Sequence, residues 1–121
     1  VDWKVYLDRQ SQGEYEMTRA GWIGDYVDPN SFLDMMVTDR GNNMTGWSNS
    51  LYDDYLMKAA FSESEVDRIT FFTEAEKILM DELPIIPIYT YTRVYMLKEE
   101  VKGWFPNMLD THPYQSIYLE D

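Results

Sequence analysis

Apolar residues in this chain fall into two rhythms, one helical and one strand-like. The helical rhythm is clearest where Val66, Ile69, Phe72, Ala75 and Leu79 recur at three- and four-residue intervals, with Ile78 beside them. That stripe predicts the longest helix, opened by the capping box Ser62-Glu-Ser-Glu65 and running to about Glu82, with Pro84 ending it. The strand rhythm is clearest over Ile85–Leu97. There Tyr89, Tyr91, Arg93 and Tyr95 alternate with Ile86, Ile88, Thr90, Thr92, Val94 and Met96. Pro87 has no N–H to give a ladder, which places the start of this strand late, at an edge or at a crossover.

The remaining elements are shorter. Trp3, Val5, Tyr6 and Leu7 among charges predict a helix over 2–12 that stops at Gly13. Glu14 to Trp22 alternates loosely and is expected to be a strand. Asp28-Pro29 combines a capping residue with a proline suited to the first helical position. It opens a short helix with Phe32, Leu33 and Met36 on its apolar side, ending before Arg40-Gly41. The run from Gly41 to Asn49, rich in Gly and Asn, predicts a surface loop. Ser50 and Asp53 open a helix through Phe61 whose apolar side is Leu51, Tyr55, Leu56 and Ala59, and a last short strand is expected over Ser116–Leu119. Helices interleaved with strands make the fold class α/β.

Composition narrows the chemistry. The chain has 121 residues, enough for one domain with a modest core, and a net charge of −12. That charge excludes non-specific nucleic-acid binding and docking on anionic lipid through a basic patch, and it favours cationic ligands. The absence of cysteine removes disulfides, thiolate chemistry and Cys-based zinc sites. A single histidine, His112, leaves no multi-His metal cluster, and Asp110-Thr-His112 offers no third ligand. No apolar run approaches the roughly 20 residues of a membrane span. The chain opens Val-Asp-Trp-Lys without an initiator Met or an apolar leader, and reads as a piece of something longer. No Ser-His-Asp order, nucleophile elbow or phosphate-cradling glycine loop is present, so neither an enzyme nor a cofactor is expected.

The most informative stretch is Arg19-Ala-Gly-Trp-Ile-Gly-Asp-Tyr-Val-Asp-Pro29. It is strand-like, breaks at Gly24, and sets the carboxylate of Asp25 in a bend just before a helix. A carboxylate there either caps a turn or faces a cleft and holds a cation.

The run from Arg19 to Phe32 resembles the C-terminal part of the oligopeptide- and dipeptide-binding receptors of ABC importers, the extracellular solute-binding proteins of family 5. Further similarities follow in the same order: Gly41-Asn-Asn43, Trp47-Ser-Asn49, Leu51-Tyr-Asp53, Ala75-Glu76 and Leu83-Pro-Ile-Ile-Pro-Ile-Tyr89. The resemblance implies part of a two-lobed clamshell of the periplasmic-binding-protein type. Residues 1–84 would belong to the second lobe, and 85–121 would cross back to pack on a first lobe absent from this chain. It implies an extracytoplasmic receptor that delivers short peptides to a membrane permease, with any signal or lipid anchor upstream.

It also implies site residues. Asp25 would hold the peptide α-ammonium, and a buried ammonium needs such a partner. Trp22 and Ile23 would line the cleft, although core packing serves Trp22 equally well. Arg19 would steer a peptide carboxylate or else form a structural ion pair. Tyr91 would touch the ligand or else belong to a packed tyrosine ladder, and Asn43 and Trp47 would line a side-chain pocket or else pack their loop. Two other readings stand beside this one: the same fold with a nickel complex, haem or sugar as ligand, and an acidic protein-interaction module docking through its tyrosine strand.

Overall fold

A computed structural model of the chain describes residues 1–120. Its core is a helical hairpin. Helix α3, Ser50–Phe61, and helix α4, Glu65–Glu82, are joined by a three-residue link and pack on each other along most of their shared length. Tyr52, Leu56 and Ala59 of α3 are buried with Phe72, Ala75 and Leu79 of α4, and Met36 joins them from outside the hairpin. Ala59 and Ala75 have no exposed surface; small side chains at such contacts allow close helix approach.

The helix starts are set by side chains one or two residues from those the sequence suggests. Asn49, not Ser50, caps α3, its Oδ1 accepting from the backbone N–H groups of Leu51 and Tyr52 at 3.0 and 3.1 Å. Ser64, not Ser62, caps α4 by accepting from Asp67 N–H at 3.3 Å, while Ser62 Oγ donates to the Ser64 carbonyl. The α4 stripe is core only from Phe72 onward, for Val66 and Ile69 are exposed. On α3, Leu51 is exposed and Tyr52 takes the interior place.

Tyr52 is fully buried, and a buried phenol needs a hydrogen-bond partner. It donates to the Leu33 carbonyl at 2.5 Å. Leu33 closes the short helix α2, Asn30–Leu33, which continues as a 3₁₀ turn over Asp34–Met36. Burial pushes the Tyr52 hydroxyl well above its ordinary range, with the nearby acids Asp53, Asp34 and Glu76 adding to the effect. The hydroxyl therefore stays protonated and remains a donor. A second link joins the same segments. Arg68 of α4 reaches Asp28, just ahead of α2, with both carboxylate oxygens engaged at 2.8 Å. Asp28 also accepts from Asn30 N–H at 2.9 Å, so it starts the turn and pairs across 40 residues at once.

Helix α1, Trp3–Gln12, is capped by Asp2 and stopped by Gly13 at φ 69°, whose N–H returns to the Arg9 and Gln10 carbonyls. It buries none of its residues and is tied to the body where Tyr6 OH donates to the Arg19 carbonyl.

The expected strands fare differently. Glu14–Trp22 and Ile85–Leu97 form no ladder among the described residues. A strand, unlike a helix, needs a second segment to take its hydrogen bonds, and neither of these pairs with one among the described residues. Ile88, Val94 and Met96 are consequently 84%, 92% and 99% exposed. One small antiparallel pair forms at the end of the chain: β1, Val101–Lys102, against β2, Tyr118–Leu119, with Val101 opposite Leu119. Gly103, at φ 76°, allows the Ser116 carbonyl to approach where any side chain would collide.

Two predictions follow from these links. Tyr52→Phe should leave the Leu33 carbonyl without its donor and lower unfolding free energy by about 1–3 kcal/mol in urea titration, with the helical circular dichroism retained. The second concerns acid. Hydrogen bonding to Arg68 holds the Asp28 carboxyl below its ordinary value, against the opposing effect of burial. Its contribution is therefore present above the ordinary carboxylate range near pH 4 and is lost as pH falls through the lowered value. Asp28→Asn should lower the melting temperature at pH 7 and make its decline between about pH 5 and pH 3 shallower than in the wild type.

Candidate functional site

The segment from Trp22 to Asp25 lies outside any helix or ladder, enters a bend at Asp25, and alternates between inward and outward positions. Trp22 is half-buried, Ile23 is 62% exposed, Gly24 is half-buried and Asp25 is exposed. Inward positions are held by α2. The Trp22 indole Nε1 donates to the Ser31 carbonyl at 2.7 Å. The Asp25 backbone N–H donates to Ser31 Oγ, also at 2.7 Å. Gly24 sits against the Phe32 ring, and a Cβ there would come within 3.1 Å of it. Alanine at that position would push the ring away, so glycine suits the close approach.

This arrangement leaves the Asp25 carboxylate with no ion pair or hydrogen-bond partner among the described residues, while its backbone is fixed. It projects from the surface and lines neither of two hollows. One hollow lies between α2 and α4 against Phe32, Ile69 and Phe72, and the other beside Glu99, Glu100, Lys102 and Glu120. The chain thus presents the carboxylate without enclosing it.

Arg19 and Tyr91, separated by 72 residues, are brought together: Arg19 Nη2 donates to the Tyr91 hydroxyl. The Tyr89 ring lies 4.6 Å from that of Tyr91 at 55°. Hydrogen bonding from Tyr89, then from Arg19, lowers the Tyr91 phenol below its ordinary value, and the Tyr91 contact raises Arg19. Arg19 takes no carboxylate partner among the described residues, so the structural ion pair weighed from the sequence is replaced by a bond to a neutral hydroxyl.

Asn43 and Trp47 belong to a separate network. The Asn43 amide donates to the carbonyls of Met36, Val37 and Trp47, and its Oδ1 accepts from Thr45. These bonds use both amide protons and pin the loop. Trp47 sits edge-on to Tyr52 at 5.0 Å and donates its indole N–H to Glu82 at 2.6 Å. Glu82 also accepts from Asn49 at 2.6 Å. Glu82 is thus the clamp between the loop and the end of α4.

At the other end of the chain, His112 stacks on Trp104 at 4.5 Å, and Trp104 meets Tyr95 at 4.0 Å. Asp110 contacts both His112, at 3.1 Å, and Arg93, at 3.2 Å. This gives Trp104 its cover and anchors the segment 85–97 to the tail. Among the described residues there is no group of three or more potential metal ligands, and no helix is long and apolar enough to cross a membrane.

Ser31 and Glu82 were invisible as partners in the sequence. Nothing in the spacing of Ser31 from Trp22 and Asp25, or of Glu82 from Trp47, signals a contact.

No family model matches the chain. Individual proteins do. The chain is 36% identical to the periplasmic murein peptide-binding protein MppA of Escherichia coli over 103 residues, which is 85% of this chain and 19% of that protein. It is equally similar, over 85% of its length, to the dipeptide-binding protein DppE of Bacillus subtilis. In structure it matches Escherichia coli MppA with a TM-score of 0.88 over 98% of this chain and 23% of that one. It matches Haemophilus influenzae OppA, solved in complex with the peptide RPPGFSPFR, at 28% identity and a TM-score of 0.87. The chain spans about a fifth of the length of the curated relatives it matches. These likenesses run through nearly all of its residues, strands without partners included, and its shape is part of the periplasmic-binding-protein fold. The chain belongs to the oligopeptide- and dipeptide-binding family of solute-binding proteins.

Proposed function

We propose that this chain is one wall of the ligand cleft of a peptide receptor serving an ABC importer, and that Asp25 holds the α-ammonium of the bound peptide. One observation carries the reading: the backbone of Trp22–Asp25 is pinned from behind, while the Asp25 carboxylate faces outward with no partner of its own. An unpaired anion on a rigid support suits a cationic guest, because little ordering is left to be done at binding. The extended backbone around Ile23 offers hydrogen bonds to a peptide lying alongside, giving affinity without reading side chains.

Arg19, its guanidinium directed by Tyr91, suits the opposite charge of a peptide, a carboxylate. Trp22 and Ile23 shape the cleft floor. Asn43 and Trp47 keep their loop in form and contribute to the wall through its shape. In this reading residues 1–84 belong to one lobe, and 85–121 cross to the other, where 85–97 finds its strand partners. The receptor works outside the cytoplasm, carries out no chemistry on its cargo, and is read by its permease when the lobes close.

Two outcomes are expected. In the full-length receptor, Asp25→Asn should weaken binding of a short peptide with a free amino end about a hundredfold by calorimetry, chiefly through faster dissociation. The 121-residue chain alone should show little peptide affinity, because it supplies only one side of the cleft; micromolar or tighter binding would contradict the reading.

A further inference from the structure

Ser31 is 4% exposed and, like Tyr52, carries a hydroxyl into the chain's interior. Buried hydroxyls are retained where they satisfy a specific partner, and Ser31 satisfies two groups at once. Its Oγ accepts from the Asp25 N–H and its carbonyl accepts from the Trp22 indole N–H, each at 2.7 Å. Both bonds go to the same four-residue segment, one to each end. Its own N–H goes to the Asp28 carbonyl at 3.1 Å, which ties it to the residue paired with Arg68.

We infer that Ser31 is a positioning residue for ligand binding, setting the direction in which the Asp25 carboxylate points. This rests on the reading of Asp25 as the ammonium anchor. The hydrogen bond to Asp25 N–H fixes the peptide plane between Gly24 and Asp25, and with it the Cα–Cβ direction of Asp25. Gly24 has freedom of rotation that other residues lack, so without this bond the plane turns easily. The Trp22 bond holds the other end, so rotation there cannot compensate. Backbone placement matters because a charge-assisted hydrogen bond to an ammonium depends on distance and angle. Ser31 touches no ligand itself.

The test uses the full-length receptor and two forms of one short peptide, with a free and with an acetylated amino end. The ratio of their affinities reads the ammonium contact alone. Ser31→Ala should shrink that ratio about tenfold while leaving the affinity for the acetylated peptide within about twofold. Ser31→Thr, which keeps the hydroxyl, should restore most of the ratio. A ratio unchanged in Ser31→Ala but collapsed in Asp25→Asn overturns the positioning role and leaves the anchor in place. A ratio unchanged in Asp25→Asn overturns the anchor, and the positioning role with it. An equal loss for both peptides in Ser31→Ala means a general structural role and also overturns the inference. Amide hydrogen exchange in the wild type gives an independent measurement: slow exchange at Asp25 is expected, and exchange at the rate of an unprotected amide rules the bond out.

Discussion

The hydroxyl of Tyr52 is where the architecture of this chain is decided. Its ring completes the packing between α3 and α4, and burial leaves its O–H with one outlet, the carbonyl of Leu33. That bond seats α2 on the hairpin. From α2 the order passes outward, through Ser31 to the segment Trp22–Asp25 and so to the carboxylate at its end. Each step obeys the same rule, that a polar group taken out of water must find a partner. An exposed charge is thus held by a chain of neutral hydrogen bonds leading back into the core.

The charges divide by task. Asp28 and Arg68 face each other on both oxygens and nitrogens, half-shielded from water, and lock α2 to α4. Glu82 draws the Asn-rich loop onto the end of α4 through two side chains. Asp25 and Arg19 stand apart from this pairing: among the described residues the carboxylate has no partner, and the guanidinium has only a phenol. In a protein of net charge −12, these are two oppositely charged groups on one stretch without ionic partners among the described residues.

The exposed apolar surface of 85–97 has a different origin. Its alternation of tyrosines with Ile, Val and Met is that of a strand covered on both faces, yet both faces are open here. The curated relatives that the chain matches are about five times longer than the matched stretch. A strand draws its ladder and its cover from other segments, and among the described residues none supplies them to 85–97. The contacts of Tyr95 with Trp104, and of Arg93 with Asp110, hold the segment to its own tail in the meantime.

By itself the sequence determined the helices and the likeness to a family. Helical hydrogen bonds close within four residues, so Gly13, the stripe from Phe72 to Leu79 and the stop before Pro84 are legible from local order. It also determined that Asp25 follows a break at Gly24 and precedes a turn. The tertiary structure alone decided which carboxylates are occupied and which are free. Asp28 finds Arg68 across 40 residues and Glu82 finds Trp47 across 35, whereas Asp25 finds no partner among the described residues. It alone placed Ser31 behind the bend, and it alone left the two expected strands without ladders. Contacts between distant segments depend on how elements pack, and no local pattern encodes a partner that lies tens of residues away or outside the chain.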